Sequence, residues 1–215
     1  MEALRDIQQR IYNAAIRSNR DPQSIKLIAV TKTVPVDRIR EAAQCGITDV
    51  GENRLQEATP KQERLKDLGL TWHFIGHIQT NKAKKVAEQF DWVHSVDRID
   101  VAGKLGTSTA KPLSILIEVK LHDEPNKSGA DVSELPALIA AIRRFDALKL
   151  KGFMSVPPFL ENPEEVRPYF RRLRDLAVQY ELPELSMGMT NDFEVAIEEG
   201  ATMVRIGTGL FGKRQ

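Results

Sequence analysis

The chain reads as an α/β protein, a single (β/α)8 barrel preceded by one extra helix. Eight short apolar runs alternate with seven amphipathic segments across its 215 residues. Such alternation implies parallel strands joined by helical crossovers. No G-x-G-x-x-G follows the first run, which argues against an open dinucleotide-binding sheet, and eight units favour closure. The chain falls below the ~250 residues typical of this fold, so its loops must be short.

Leu4, Ile7, Ile11, Ala14 and Ala15 recur with a period near 3.6, predicting an opening amphipathic helix. The strands are predicted at Lys26–Val30, Thr48–Val50, Thr71–Ile75, Trp92–Val96, Leu113–Val119, Lys149–Met154, Glu184–Met187 and Met203–Ile206. The helices between them are predicted at Val36–Gln44, Arg54–Leu68, Thr80–Gln89, Asp97–Ser108, Val132–Arg144, Pro163–Tyr180 and Asp192–Glu199. Pro163 and Asp192 supply start signals, and Gly46, Gly69 and Gly200 follow last turns, where a terminal glycine belongs. No linker, repeat or low-complexity tract interrupts the series, so residues 1–215 read as one domain.

Composition narrows the function classes. With 41% apolar and 28% charged residues and a formal net charge of +1, the chain suits a compact globular protein and not a dedicated nucleic-acid binder. The Lys82-Ala83-Lys84-Lys85 run reads as a solvated helix face. Cys45 is the only cysteine, which excludes an intrachain disulfide and a multi-thiolate metal site and fits a reducing cytoplasm. Charges interrupt Met1 to Asn19, so no signal peptide is expected. No stretch approaches the ~20 apolar residues of a membrane helix. His73, His77, His94 and His122 match no metal-ligand spacing, so no metal is expected.

In such barrels chemistry sits at the C-terminal ends of the strands. Gly207-Thr208-Gly209 lies where the last strand meets a short closing helix, a place where backbone N–H groups can approach an anion. By itself this reads more readily as a tight turn; Ser186 and Thr190 from the neighbouring strand end shift it towards a phosphate cup. Lys32 follows the first strand, where desolvation would make it a competent amine for a Schiff base. Lys120 occupies a comparable place after the fifth strand, and periodicity does not choose between them. Arg205 lies within a buried strand and needs a partner, either a glutamate such as Glu52 or Glu118 or a ligand.

Together these residues resemble the YggS/PROSC family of pyridoxal phosphate homeostasis proteins. The marks run in order along the chain: Ile28-Ala29-Val30-Thr31-Lys32, Gly51-Glu52-Asn53 with Gln56-Glu57, and His73-Phe74-Ile75-Gly76-His77-Ile78-Gln79-Thr80-Asn81-Lys82. They continue with Lys127-Ser128-Gly129, Gly152-Phe153-Met154, Leu185-Ser186-Met187-Gly188-Met189 and Val204-Arg205-Ile206-Gly207-Thr208. The resemblance implies an alanine-racemase-type barrel (fold type III) that binds pyridoxal 5′-phosphate (PLP). It selects Lys32 over Lys120 as the Schiff-base lysine. It places Asn53 beside the cofactor, Arg205 at the pyridine nitrogen, and Ser186, Gly207 and Thr208 at the phosphate. Thr190 stands where the family more often has serine, and a hydroxyl remains.

The resemblance also raises an enzymatic alternative, a low-activity PLP-dependent racemase. Two-base racemisation needs an acceptor on each face of the ring, and related racemases take a tyrosine from an additional C-terminal domain. This chain is expected to lack that domain, and Tyr12, Tyr169 and Tyr180 fall in predicted outer helices, far from the barrel mouth. An arginine at the ring nitrogen weakens the cofactor as an electron sink. The expectation is therefore a monomeric cytoplasmic carrier without strong catalytic activity, whose partners are PLP and apo PLP-dependent enzymes.

Overall fold

The computed structural model describes residues 2–122 and 128–212. Eight parallel strands close in chain order: β1 (Lys26–Val30), β2 (Asp49–Glu52), β3 (Thr71–Phe74), β4 (Trp92–Val96), β5 (Leu113–Glu118), β6 (Leu148–Met154), β7 (Glu184–Ser186) and β8 (Met203–Ile206). The seam joins β1 to β8, with Ile28 opposite Arg205 and Ala29 opposite Ile206. Helices α2 (Val36–Gln44), α3 (Leu55–Arg64), α4 (Ala83–Gln89), α5 (Ile99–Ser108), α6 (Leu135–Ile142), α7 (Arg167–Gln179) and α8 (Phe193–Glu198) connect successive strands. The expected opening helix is α1 (Glu2–Arg17), and a single turn, α9 (Thr208–Phe211), follows β8.

Boundaries depart from the periodicity for local reasons. β2 runs on to Glu52 because Gly51 and Glu52 pair with His73 and Phe74. The predicted helix Arg54–Leu68 ends at Arg64, and a separate 3-10 turn, Lys66–Leu68, follows it. The segments beginning at Thr80, Val132 and Pro163 open as 3-10 turns before their α-helices, a common form for a helix start.

Period-two alternation sorts the strands into two layers. Ala29, Val50, Trp72, Phe74, Val93, Ile115, Ile117 and Val204 pack outward with the helices. Ile28, Leu116, Met154 and Met203 pack inside the barrel, with Trp92 against them. Each buried aliphatic side chain contributes ~1.5–3 kcal/mol, yet the interior is not filled by aliphatics alone, because Asp49, His73, His94, Ser186 and Arg205 are buried there too. Helix α1 packs on α8 and α9. Arg10 stacks over Phe193 at 4.6 Å and pairs with Glu194 at 3.0 Å, and Arg17 pairs with Glu198 at 2.8 Å. Among the described residues, no helix is long and apolar enough to cross a membrane.

Candidate functional site

A cavity of about 930 Å³ opens at the C-terminal ends of β1, β2 and β8 and in the loop after β7. Lys32, Asn53, Thr190, Arg205, Gly207 and Thr208 all line it. Lys32 continues the inward parity of Ile28 and Val30, which carries it to the barrel mouth. Asn53 directly follows β2, and its buried Oδ1 has no hydrogen-bond partner among the described residues. Gly76 makes the Asn53 position possible, because a Cβ there would overlap the Asn53 backbone. The Ser95 hydroxyl donates to the Gly76 carbonyl and holds that loop in place.

The loop after β7 turns at Gly188 (φ 91°), where a side chain would also collide with Ala196. Beyond the turn the Met189 N–H donates to Asp192 at 2.7 Å, and the Gly209 N–H donates to the Thr190 hydroxyl at 3.3 Å. Two hydroxyls, Thr190 and Thr208, thus share one wall with Gly207.

Ser186, expected in that cup, lies elsewhere. It is fully buried and does not line the cavity. Its parity is inward, so its hydroxyl accepts from Arg205 Nη1 at 2.6 Å and lies 2.9 Å from His94 Nδ1. Thr190, two residues past the turn, is the hydroxyl that reaches the cavity from this loop.

Ser186 belongs to a chain of hydrogen bonds across the barrel interior that sequence reasoning did not find. His94 Nε2 lies 2.9 Å from His73 Nδ1, and His73 Nε2 lies 2.9 Å from Asp49 Oδ1. An arginine can only donate and an ionised aspartate can only accept, so the two ends fix every proton between them. Arg205 donates to Ser186, Ser186 to His94, His94 to His73, and His73 to Asp49. The signal was strand parity: His73 alternates with the outward Trp72 and Phe74, and His94 follows the inward Trp92 by two.

The electrostatics agree with that ordering. Burial lowers the pKa of His73, with the Asp49 hydrogen bond opposing it, and burial places His94 well below the ordinary value. Both rings are therefore neutral at pH 7. Burial would raise Asp49, but hydrogen bonds from His73 and Thr48 and the nearby charges bring it down to about 2. Arg205 is 5% exposed, and burial lowers its pKa only to about 10, so it remains a cation. Its hydrogen bonds all go to neutral oxygens, the carbonyl and hydroxyl of Ser186 and the carbonyl of Ser155. Neither expected glutamate bonds to it directly, since Glu52 binds Lys61 at 2.6 Å and Glu118 accepts from Ser128 at 3.0 Å, although the charges of Asp192 and Glu118 act on it from further off.

Lys120 lines an adjoining cavity of about 220 Å³ with His77, Glu118, His122 and Ser128, and the two cavities share Ile75 and Val156. Burial raises the Glu118 carboxyl to about 7. The Tyr169 ring meets His122 edge-on at 5.7 Å, so this tyrosine approaches the rim of the smaller cavity and is not remote, as expected from its helix. No tyrosine is among the residues lining the larger cavity. Lys127 of the Lys127-Ser128-Gly129 motif lies outside the described residues.

Comparison with known proteins follows the same lines. Residues 5–215 match the family model for the alanine racemase N-terminal domain. The pyridoxal phosphate homeostasis protein of Aquifex aeolicus is 46% identical over 223 residues, covering 100% of this chain and 98% of its relative. That of Pseudomonas aeruginosa is 45% identical, covering 99% and 95%. The solved structure of Synechococcus elongatus PipY with PLP bound is 37% identical, with a TM-score of 0.84, covering 96% of this chain and 100% of that one. On its barrel, its motifs and its full-length similarity, this chain belongs to the pyridoxal phosphate homeostasis protein family, built on the alanine racemase N-terminal domain.

Proposed function

We propose that this chain binds PLP in the larger cavity and serves PLP homeostasis as a carrier, not as an enzyme. One observation carries the reading most: Arg205 is a buried cation at a cavity wall whose hydrogen bonds reach only neutral oxygens. A cation in that position suits a ligand with acceptor atoms. The other lining groups fit PLP as well. Lys32 would be the covalent tether, Asn53 would meet the ring with its unsatisfied Oδ1, and Arg205 would face the ring nitrogen. Thr190, Gly207 and Thr208 would hold the phosphate, Thr190 replacing Ser186 in that role. Because α9 is a single turn, its dipole adds little, and the hydroxyls and backbone N–H groups supply the binding.

When bound, PLP supplies an aldehyde that condenses with primary amines and a ring that can withdraw electrons. The residues around it favour holding over catalysis. Arg205 cannot accept a proton and keeps its charge, so it disfavours a protonated ring nitrogen and weakens the electron sink. With no tyrosine on the cavity wall, the second base of a racemase has no evident source there. The mouth is open at Phe159, which is 74% exposed, and an open mouth suits transfer to apo PLP-dependent enzymes by a monomeric cytoplasmic carrier.

The test is to mix PLP-loaded protein with an apo PLP enzyme while a trap consumes free PLP. Reactivation despite the trap is expected, together with no turnover of amino acids by the loaded protein itself. Racemisation or transamination at about 1 s⁻¹ or faster, ordinary for an enzyme, would favour the racemase reading and reject the carrier.

A further inference from the structure

Behind Lys32, between the barrel and α3, lies a buried charged cluster that the binding site does not use. Glu52 is fully buried, and its Oε1 accepts from the Thr31 hydroxyl at 2.7 Å and from Lys61 Nζ at 2.6 Å. Lys61 is 8% exposed and also donates to the Thr31 carbonyl at 2.7 Å. One helical turn before Lys61, Glu57 Oε2 accepts the Thr33 N–H at 2.8 Å and lies 4.0 Å from Lys61 Nζ. Both neighbours of Lys32 are therefore held by side chains of one helix and one strand. Thr33 is held at φ 63°, a left-handed conformation that β-branched residues rarely adopt.

A buried ion pair is a poor source of stability, since apolar packing does as well or better. This one is imperfect even as a pair, because Glu52 Oε2 is buried with no hydrogen-bond partner among the described residues. Its geometry instead controls direction. Thr31 faces outward to Glu52 and Lys61, which forces the next side chain inward, towards the cavity. The Glu57 bond stops the chain from relaxing at Thr33, where the strained φ turns it towards α2.

We propose that Glu52, Glu57 and Lys61 are positioning residues for Lys32, fixing its backbone on both sides so that its amine is presented to the cofactor aldehyde. The proposal rests on Lys32 being the PLP lysine. In that capture the neutral Lys32 amine would form a C=N bond to the aldehyde carbon, and the carbonyl oxygen would leave as water with both of the amine's protons, so that PLP alone is the co-reactant. Loosening the clamp slows capture without touching the phosphate and ring contacts.

The experiment follows covalent capture by adding PLP to the full-length apo-protein, quenching with borohydride at intervals and mapping the labelled peptide. Binding of pyridoxamine 5′-phosphate, which has no aldehyde, is measured in parallel. Glu57→Ala and Lys61→Met are each expected to slow labelling of Lys32 about tenfold, the effect of losing one well-placed hydrogen bond, while binding pyridoxamine 5′-phosphate as the wild type does. Glu57→Gln, whose amide oxygen still accepts from Thr33, is expected to label at close to the wild-type rate. Wild-type labelling rates in Glu57→Ala would overturn the proposal, as would equal slowing in Glu57→Gln. If Lys61→Met does not fold, the two Glu57 variants decide alone, since Glu57 is partly exposed. Wild-type label found away from Lys32 would instead overturn the reading on which the proposal rests.

Discussion

The Ser186 hydroxyl accepts a hydrogen bond from Arg205 at 2.6 Å and donates one to His94 at 2.9 Å, which makes it a link inside the barrel and not a contact at the mouth. Ser186→Ala should therefore cost stability, roughly 1–3 kcal/mol for stranding a buried donor and acceptor, and leave phosphate-dependent affinity little changed. A Thr190→Ala/Thr208→Ala double variant should do the reverse, weakening PLP at least tenfold with little change in Tm. Denaturant titration and absorbance titration with PLP distinguish the two.

Gly76→Ala should impair the site without changing any of its functional groups. The added methyl overlaps the Asn53 backbone, so Asn53 must move away from the cavity wall. PLP affinity should fall about tenfold or more, equivalent to about 1.4 kcal/mol, whereas Gly103→Ala, in open space within α5, should leave it unchanged. Equilibrium titration of both variants checks the contrast.

Glu118 should reveal itself through the pH dependence of stability. Its carboxyl is raised from 4.5 to about 7 in the fold, so the native state keeps a proton that the unfolded chain releases between those values. The protonated group's advantage is present below 4.5 and is lost as pH rises to about 7. Glu118→Gln keeps an acceptor for Ser128 and should therefore raise stability at pH 8, by on the order of 3 kcal/mol, with little effect near pH 4.5. Urea unfolding at the two pH values measures this directly.

In that same variant the buried histidines contribute a slope of the opposite sign, which the raised carboxyls of Glu52 and Asp192 partly offset. His73 and His94 have lowered pKa values, so the unfolded chain takes up protons that the native barrel refuses. Their contribution is complete above the ordinary histidine value of 6.5 and falls as pH drops below it. Tm of Glu118→Gln should decline from pH 7 to pH 5, with a further loss from 3.8 towards about 2 as Asp49 is protonated. NMR titration of the two imidazoles isolates their part, and a ring that protonates above the ordinary histidine value would contradict neutral, buried histidines.

Much of this was legible in the sequence, and the reason is physical. Strand count, parallel order and the extra helix follow from apolar periodicity, and strand-end position brought Lys32, Asn53, Arg205, Gly207 and Thr208 to one cavity. Lys32 and Lys120 were equivalent by spacing, and only the family resemblance chose between them; in the fold they line adjoining cavities, Lys120 the smaller. Ser186 falls outside the cavity because a strand end offers two faces, and parity across the closed barrel turns it inward. Strand parity turns His73 and His94 inward, but their partners, like those of the Lys61 clamp, lie on other strands and helices, and local spacing does not name them.

The most direct test of the account is borohydride reduction of the PLP-loaded protein followed by peptide mapping. A single pyridoxyl group on Lys32, absent from Lys32→Ala, is the result the proposal predicts. A group on Lys120, or labelling that persists undiminished in Lys32→Ala, would contradict it.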